Sequence, residues 1–376
     1  MVERVDVAIV GGGVFGLWAA YHLGEAGLKV AVLEVERAGS GASGGPVGAL
    51  TPHMPRGWRP FKAFQRDALM DLPMVSDLLH AQTGIDIGYR RVGRLTPLRD
   101  NAARMRASQQ IEAAETHWQG YARWTVHKTL PDAARGWLSD DACAHGLQGD
   151  TLSARLTPTA YLGALRAAVA QRASLREGWR VHEVRSDRLR ADQGDLMAAQ
   201  VVLAGGWRAL APLVPQPDLP PMRGVKGQAA LLQCAAPADL PVLHADGIFV
   251  TRQGLERVAV GSTSERDWTS DGPDAALDDL LRRARHLVPP LANAPVIARW
   301  AGIRPRGPGR EPLVGPLPGA PHLIAATGGY KIGLGIGHRV GAAIAALITG
   351  QAGPPLPESF LPSAFHDAAQ RSKTDN

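Results

Sequence analysis

Three glycines at one strand–helix junction and an acid downstream of them carry the first recognisable chemistry in this 376-residue sequence. Gly11, Gly13 and Gly16 form the pattern G-x-G-x-x-G. Gly11 permits a tight turn, Gly13 lacks the Cβ that would keep a pyrophosphate off the backbone, and Gly16 lets a helix pack closely on its strands. A helix that starts here offers free N–H groups and a positive dipole end to phosphates. Glu34 follows roughly 20 residues on, where a carboxylate hydrogen-bonds a ribose diol. An acid at that place also disfavours a 2′-phosphate, which argues against NADP. The motif itself leaves NAD and FAD open.

The surrounding pattern supplies the elements such a motif needs. Residues 4–10 are apolar and β-branched and read as a buried strand; 17–23 read as a helix stopping near Gly27; 29–33 read as a second strand. Residues 36–50 are mostly small, cannot pack a core, and sit where a cofactor-lining loop belongs. Phe61, Phe64, Leu69, Leu72, Val75 and Leu79 share a helical face that Thr83-Gly84 ends. Strands are expected at 85–89 and 91–98, then a helix over 101–117. That block breaks the βαβ alternation, so a different sheet begins in it. Thr157 reads as an N-cap with Pro158 at N1. Strands at 179–184 and 200–204 follow, the second running into Gly205-Gly206-Trp207, another place for close backbone approach. Strands at 227–232, 247–251 and 256–262 and an amphipathic helix over 274–287 form a second excursion. A strand at 322–326 leads through a glycine-rich turn into a helix that ends near 349, a second anion-friendly helix start. Beyond Gly350 the chain is proline-rich and polar and is expected to fray.

Bulk properties exclude several classes. Hydrophobic content is 45%, charged residues are 20%, and no internal repeat is visible. The net charge of +6 is spread over scattered arginines rather than a basic stripe, which argues against a nucleic-acid partner. Cys143 and Cys234 lie far apart without metal-ligand spacing, so no metal site is expected and a reducing compartment is. No signal peptide is evident, and the apolar run over 5–20 is broken by glycines and too short to cross a bilayer. The expectation is a cytoplasmic protein, with homo-oligomerisation left open.

The glycine motif, Glu34, the small-residue loop, Gly205-Gly206-Trp207, the segment 300–305 and the segment 327–335 together resemble the D-amino-acid oxidase family of flavoproteins. Thr83-Gly84-Ile85-Asp86, Val225-Lys226-Gly227 and Asp267-Trp268 resemble its glycine oxidase branch. The resemblance implies FAD, held non-covalently because no cysteine matches the covalent link known in the sarcosine branch. It implies an α/β fold: a Rossmann-like FAD-binding domain with an inserted α+β substrate domain containing an antiparallel sheet. The first would comprise 1–82, 140–215 and 296–376, the second 83–139 and 216–295. Cofactor contacts would fall on Val14, Phe15, Glu34, Val35, Ala42, Ser43, Val47, Gly48, Ala49, Val181 and on Gly329, Tyr330, Lys331, Ile332, Gly333, Leu334 and Gly335, beside Gly11, Gly13, Gly16 and Gly205. The substrate-carboxylate arginine would be Arg304. Lys331 stands where the glycine oxidase branch has an arginine and the sarcosine branch a lysine. Ile248 falls on a substrate-side tyrosine, and Ala259 on an oxygen-activating lysine.

The implied reaction is oxidation of the C–N bond of a small amino acid or amine, with the imine hydrolysed and O2 or an electron carrier as acceptor. No catalytic side chain stands out; His53, His244 and His338 read as structural or surface residues. Ile248 and the loop over 53–60, with Trp58, would shape the pocket. Competing readings are a dehydrogenase that passes electrons to a quinone or carrier, a flavin oxidase acting on a modified tRNA nucleoside, and an NAD-using or non-catalytic nucleotide-binding protein.

Overall fold

The computed structural model describes residues 2–365 apart from 186, 211–212, 215–218 and 220–221. In chain order its elements are β1 (Glu3–Val10), α1 (Val14–Glu25), β2 (Val30–Glu34), β3 (Ala49–Leu50), α2 (Pro60–Thr83), β4 (Arg94–Pro97), α3 (Asn101–Trp118), β5 (Trp124–His127), β6 (Leu147–Asp150), β7 (Ala154–Arg155), α4 (Pro158–Ala170), β8 (Ser174–Glu177), β9 (Val181–Arg185), β10 (Arg188–Ala191), β11 (Gly194–Leu203), β12 (Arg223–Gln233), β13 (Val242–Ala245), β14 (Ile248–Gln253), β15 (Arg257–Gly261), α5 (Ala275–Leu287), β16 (Val296–Arg306), β17 (Leu313–Leu317), β18 (Ala320–Thr327) and α6 (Gly333–Thr349).

Two eight-stranded sheets hold these strands except β3 and β7, which pair with each other. The first has the order β17-β18-β11-β1-β2-β8, with β9 and β10 as an antiparallel flap on β11. β1 pairs in parallel with β2 and with β11, so its apolar run is covered on both faces. α1, α4 and α6 cover one face. There α1 and α6 cross closely: a Cβ on Gly341 would fall 2.5 Å from the Trp18 carbonyl carbon. Trp18 is buried at that crossing, and its Nε1 donates to Tyr161 Oη of α4 at 2.7 Å.

The second sheet has the order β16-β12-β15-β14-β13-β4-β6-β5 and is antiparallel except where β13 meets β4. α5 covers its outer face through Leu277, Leu280, Leu281 and Ala284, packed on Ala230, Leu232, Val258 and Val260. Asp274 caps α5 by accepting from Ala276 N–H. The expected α/β architecture with a second, largely antiparallel sheet is present.

Several local expectations are corrected. Residues 85–89 form no strand: Asp86 accepts the Gly88 N–H at 2.8 Å, and Gly88 turns the backbone at φ +68°. Gly93, at φ +74°, shortens the next strand to β4. Thr157 precedes α4 but makes no side-chain cap bond. β13 was not foreseen; it is only four residues long. The expected division at 296 falls at the start of β16, yet β16 pairs along its length with β12 in the second sheet. Likewise β6, placed within 140–215, pairs with β4 and β5 there. The division at 215–216 lies outside the described residues. Past Gly350 the chain does not simply fray: Phe360 is fully buried, 5.4 Å from the ring of Phe64. Residues 366–376 lie outside the described ones.

Candidate functional site

A cleft of about 950 Å³ runs between the two sheets. At one end it is lined by Gly11, Gly13, Val14 and Phe15 from the β1–α1 turn and by Glu34 and Val35 at the end of β2. Gly11 takes φ +109°, and a Cβ on it would lie 2.5 Å from Ala204 O. The cradle above Gly13 is open, with only Ser43 Oγ near, at 3.7 Å from a built Cβ. Ser43 Oγ accepts from Val14 N–H at 3.2 Å, so the small-residue loop closes over the α1 N-terminus. Glu34 accepts from Gly12 N–H at 2.6 Å and from Glu36 N–H at 3.0 Å. Those bonds fix the carboxylate beside the turn, where it faces the cleft.

Ala42, Ser43, Val47 and Ala49 line the middle, with Val181 and Gly205 opposite. Gly329, Tyr330, Lys331, Ile332, Gly333 and Leu334 bring in the start of α6, whose N-terminus no side chain caps. A second helix dipole therefore points into the cleft. Three expected contact residues do not line it. Gly16 lies behind the turn, where its Cβ would be 2.0 Å from Gly11 O. Gly48 abuts Leu156 O, and Gly335 faces Leu69 of α2. Their small size serves packing behind the cleft wall.

The far wall is the inner face of the second sheet. One rung crosses five strands: Trp300, Ala229, Gly261, Phe249 and His244 stand opposite one another in register. The small residues at its centre leave a groove, and Val47 of the loop seats in it; a Cβ on Gly261 would meet Val47 Cγ2 at 2.9 Å. Phe249 lines the cleft and stacks on His244 at 4.2 Å. Ile248 does not line it. Neighbouring residues on a strand face opposite ways, so Ile248 points to the α5 side and is buried there. Trp58 also falls outside the cleft, stacked on His117 at 4.5 Å. From the loop over 53–60 the cleft wall receives His53.

Arg304 lies on the same inner face, opposite Val225. Its guanidinium leans diagonally across to Gly227, whose missing side chain leaves the space: a Cβ there would fall 2.0 Å from Cζ. Arg304 is 8% exposed, donates to Thr263 O at 3.0 Å, and makes no ion pair among the described residues. Burial presses its pKa below arginine's ordinary value. Lys331 lines the same cleft with its side chain exposed, and partial desolvation there, then the charges of Arg304 and Arg310, lower its pKa. Two uncompensated cations thus face one end of the cleft. β16 is also laced to the loop that opens α6: Arg306 pairs with Gly329, and Tyr330 N–H donates to Pro305 O at 3.1 Å.

The arrangement suits an extended dinucleotide with its phosphates at the α1 end and an anionic small molecule at the Arg304 end. Cys143 and Cys234 are both free and neither lines the cleft. Among the described residues no cluster of metal-ligating side chains is present, and no helix is long and apolar enough to cross a membrane.

Comparison with known proteins agrees with this geometry. The family model described as DAO, FAD dependent oxidoreductase, matches residues 6–347. Glycine oxidase of Geobacillus kaustophilus (strain HTA426) is 30% identical over 93% of this chain and 94% of its own. Glycine oxidase of Pseudomonas aeruginosa is 30% identical over 89% and 91%. The crystal structure of glycine oxidase from Geobacillus kaustophilus superposes with a TM-score of 0.85 at 27% identity, covering 96% of this chain and 98% of that one.

Proposed function

The chain belongs to the DAO family of FAD-dependent oxidoreductases, and from that premise we propose that it oxidises the C–N bond of a small amino acid, with O2 as acceptor. The observation that carries the substrate reading is Arg304, a buried guanidinium facing the cleft whose hydrogen-bond partner is a single backbone carbonyl. A buried charge is costly unless paired. A substrate carboxylate supplies the pair, in a two-pronged geometry that also orients the substrate's α-carbon.

The bound flavin supplies the chemistry of accepting a hydride from the α-carbon and passing two electrons onward. This chain's own residues hold and orient. Glu34 receives the ribose diol of the nucleotide end, the α1 N-terminus receives the pyrophosphate, and the α6 N-terminus offers its positive end to the reacting end. Arg304, with Lys331 beside it, fixes the carboxylate. The same two cations disfavour an ammonium nearby, so the amine is held in its neutral, oxidisable form. Phe249 and Trp300 wall the space around the α-carbon and limit its size. Water then hydrolyses the released imine to a carbonyl compound and ammonia or an amine. The cofactor is non-covalent in this reading, since both cysteines lie away from the cleft. A cytoplasmic location accords with two unpaired thiols.

The test is an anaerobic titration of the purified yellow protein with glycine, sarcosine, and D- and L-amino acids, following the flavin band. Bleaching by an amino acid, and a Kd raised at least a hundredfold by Arg304→Ala, support the reading. Readmitting air with peroxide release identifies the oxidase. A flavin that no amino acid bleaches overturns the substrate assignment.

A further inference from the structure

We infer that His53 reads the amine of the substrate, its Nε2 accepting an N–H hydrogen bond from the neutral amine while Arg304 holds the carboxylate. The inference rests on the amino-acid reading above and adds to it a residue that sequence reasoning had placed among structural histidines.

Gln65 settles which ring nitrogen is free. Gln65 is 2% exposed on α2, and its Nε2 donates to Thr51 O at 3.0 Å. Its Oε1 is therefore the acceptor, and it receives His53 N–H at 2.9 Å. The same oxygen lies 2.5 Å from His53 Nδ1. An oxygen that only accepts requires a proton on Nδ1, so the tautomer is fixed and Nε2 keeps its lone pair. Nε2 has no protein partner among the described residues, and the ring lines the cleft. Phe61 stands edge-on to the ring at 4.9 Å and holds its plane. Burial lowers the His53 pKa; Glu311 opposes the shift, and Lys62 and Arg94 add to it. The lowering favours the neutral ring, an acceptor and not a third cation, although the hydrogen bond with Gln65 opposes it.

Position supports the role. The loop carrying His53 crosses the inner face of the second sheet, with Gly45 against Trp300 and Val47 in the central groove. The charge of Arg94, on β4 of the second sheet, also reaches the His53 ring, which puts His53 toward the sheet end of the cleft. The carboxylates that line the cleft are engaged by protein donors. Glu34 is bonded at the β1–α1 turn and Glu36 stands next to it. Asp271 lines the cleft but is engaged, accepting from Trp268 Nε1 at 2.8 Å. Thr51, Ser262 and Tyr330 line the cleft with hydroxyls, which donate as readily as they accept. Among the described residues, His53 Nε2 is a lining acceptor that no protein donor engages.

The experiment compares holoenzymes of wild type, His53→Phe and His53→Gln by anaerobic titration. Two probes are used: the amino acid that bleaches wild type, and glycolate, a carboxylate without an amine, which reports through the flavin spectrum. Bleaching of wild type establishes the parent reading separately. His53→Phe should raise the Kd of the amino acid at least tenfold and slow the limiting reduction rate, with the glycolate Kd unchanged within twofold. His53→Gln, which restores an acceptor, should recover part of the loss. Equal losses for amino acid and glycolate would show a merely structural role and overturn the inference, as would an unchanged amino-acid Kd in His53→Phe.

Discussion

Replacing Gly227 by alanine should disable the protein without unfolding it. The strand backbone at Gly227 has an ordinary extended conformation, and the new Cβ would lie 2.0 Å from Cζ and Nη2 of Arg304 and 2.1 Å from Nη1. Ordinary contact begins near 3.4 Å, so the guanidinium must retreat by about 1 Å or more. It can do so, because the clash is with the far end of a flexible side chain. The fold therefore loses little, within about 1 kcal/mol. The site loses its alignment: a misplacement of about 1 Å costs on the order of a hundredfold in rate, or about 2.7 kcal/mol. The assay is the anaerobic rate of flavin reduction, with flavin content and melting temperature as controls. A double-mutant cycle sharpens it. In an Arg304→Ala background nothing remains to displace, and Gly227→Ala should change the rate less than twofold. The reasoning fails if Gly227→Ala reduces within threefold of wild type, or if it costs a hundredfold even where Arg304 is already absent.

Other perturbations separate the roles of neighbouring residues. Gly16→Ala sets a Cβ 2.0 Å from Gly11 O, a backbone atom that cannot swing aside; the purified protein should come out colourless, read as the ratio of flavin to protein absorbance. Phe249→Ala should alter which amines bleach the flavin and leave the melting temperature nearly unchanged. Ile248→Ala should do the reverse, costing about 2–5 kcal/mol in urea unfolding with little change in substrate profile. Burial pushes the His22 and His244 imidazoles down to about 4, so each stays neutral in the folded chain where the unfolded chain takes up a proton. Their contribution to stability is whole above pH 6.5 and is lost as the pH falls to 4, roughly 3 kcal/mol per group at most. The urea midpoint should drop between pH 7 and 5, and His22→Gln should flatten that drop.

The parts of the fold that were legible are those where the backbone has one way to meet a demand. A tight turn, a close helix and a ribose acid require Gly11, Gly16 and Glu34 at fixed spacing, so the βαβ unit could be read directly. The start of α6 was legible for the same reason, as glycines leading into an apolar helical run. Arg304 was reached through family resemblance, since its meaning depends on Gly227, 77 residues earlier and across a strand pair. Ile248 shows where one-dimensional matching fails: a shift of one residue reverses the face of a strand, and the rung through Gly261 assigns Phe249 to the cleft. His53 was passed over because its signal is a partner, Gln65, twelve residues away on a helix. The segment from 296 was given to the first domain although β16 pairs in the second sheet, because strand pairing is non-local and a segment's sequence does not state its neighbour.

Because Arg306 pairs with Gly329 and Pro305 accepts from Tyr330, Arg304 and the loop that opens α6 form one piece of scaffold. Insertions in the loop ahead of α2, whose His53 lines the cleft, can reshape the cleft wall without changing the spacing between Arg304 and the start of α6. Registration is thereby inherited while selectivity is free to drift. On the proposed function, editing the wall at Phe249 would exchange one amine for another and leave the chemistry in place.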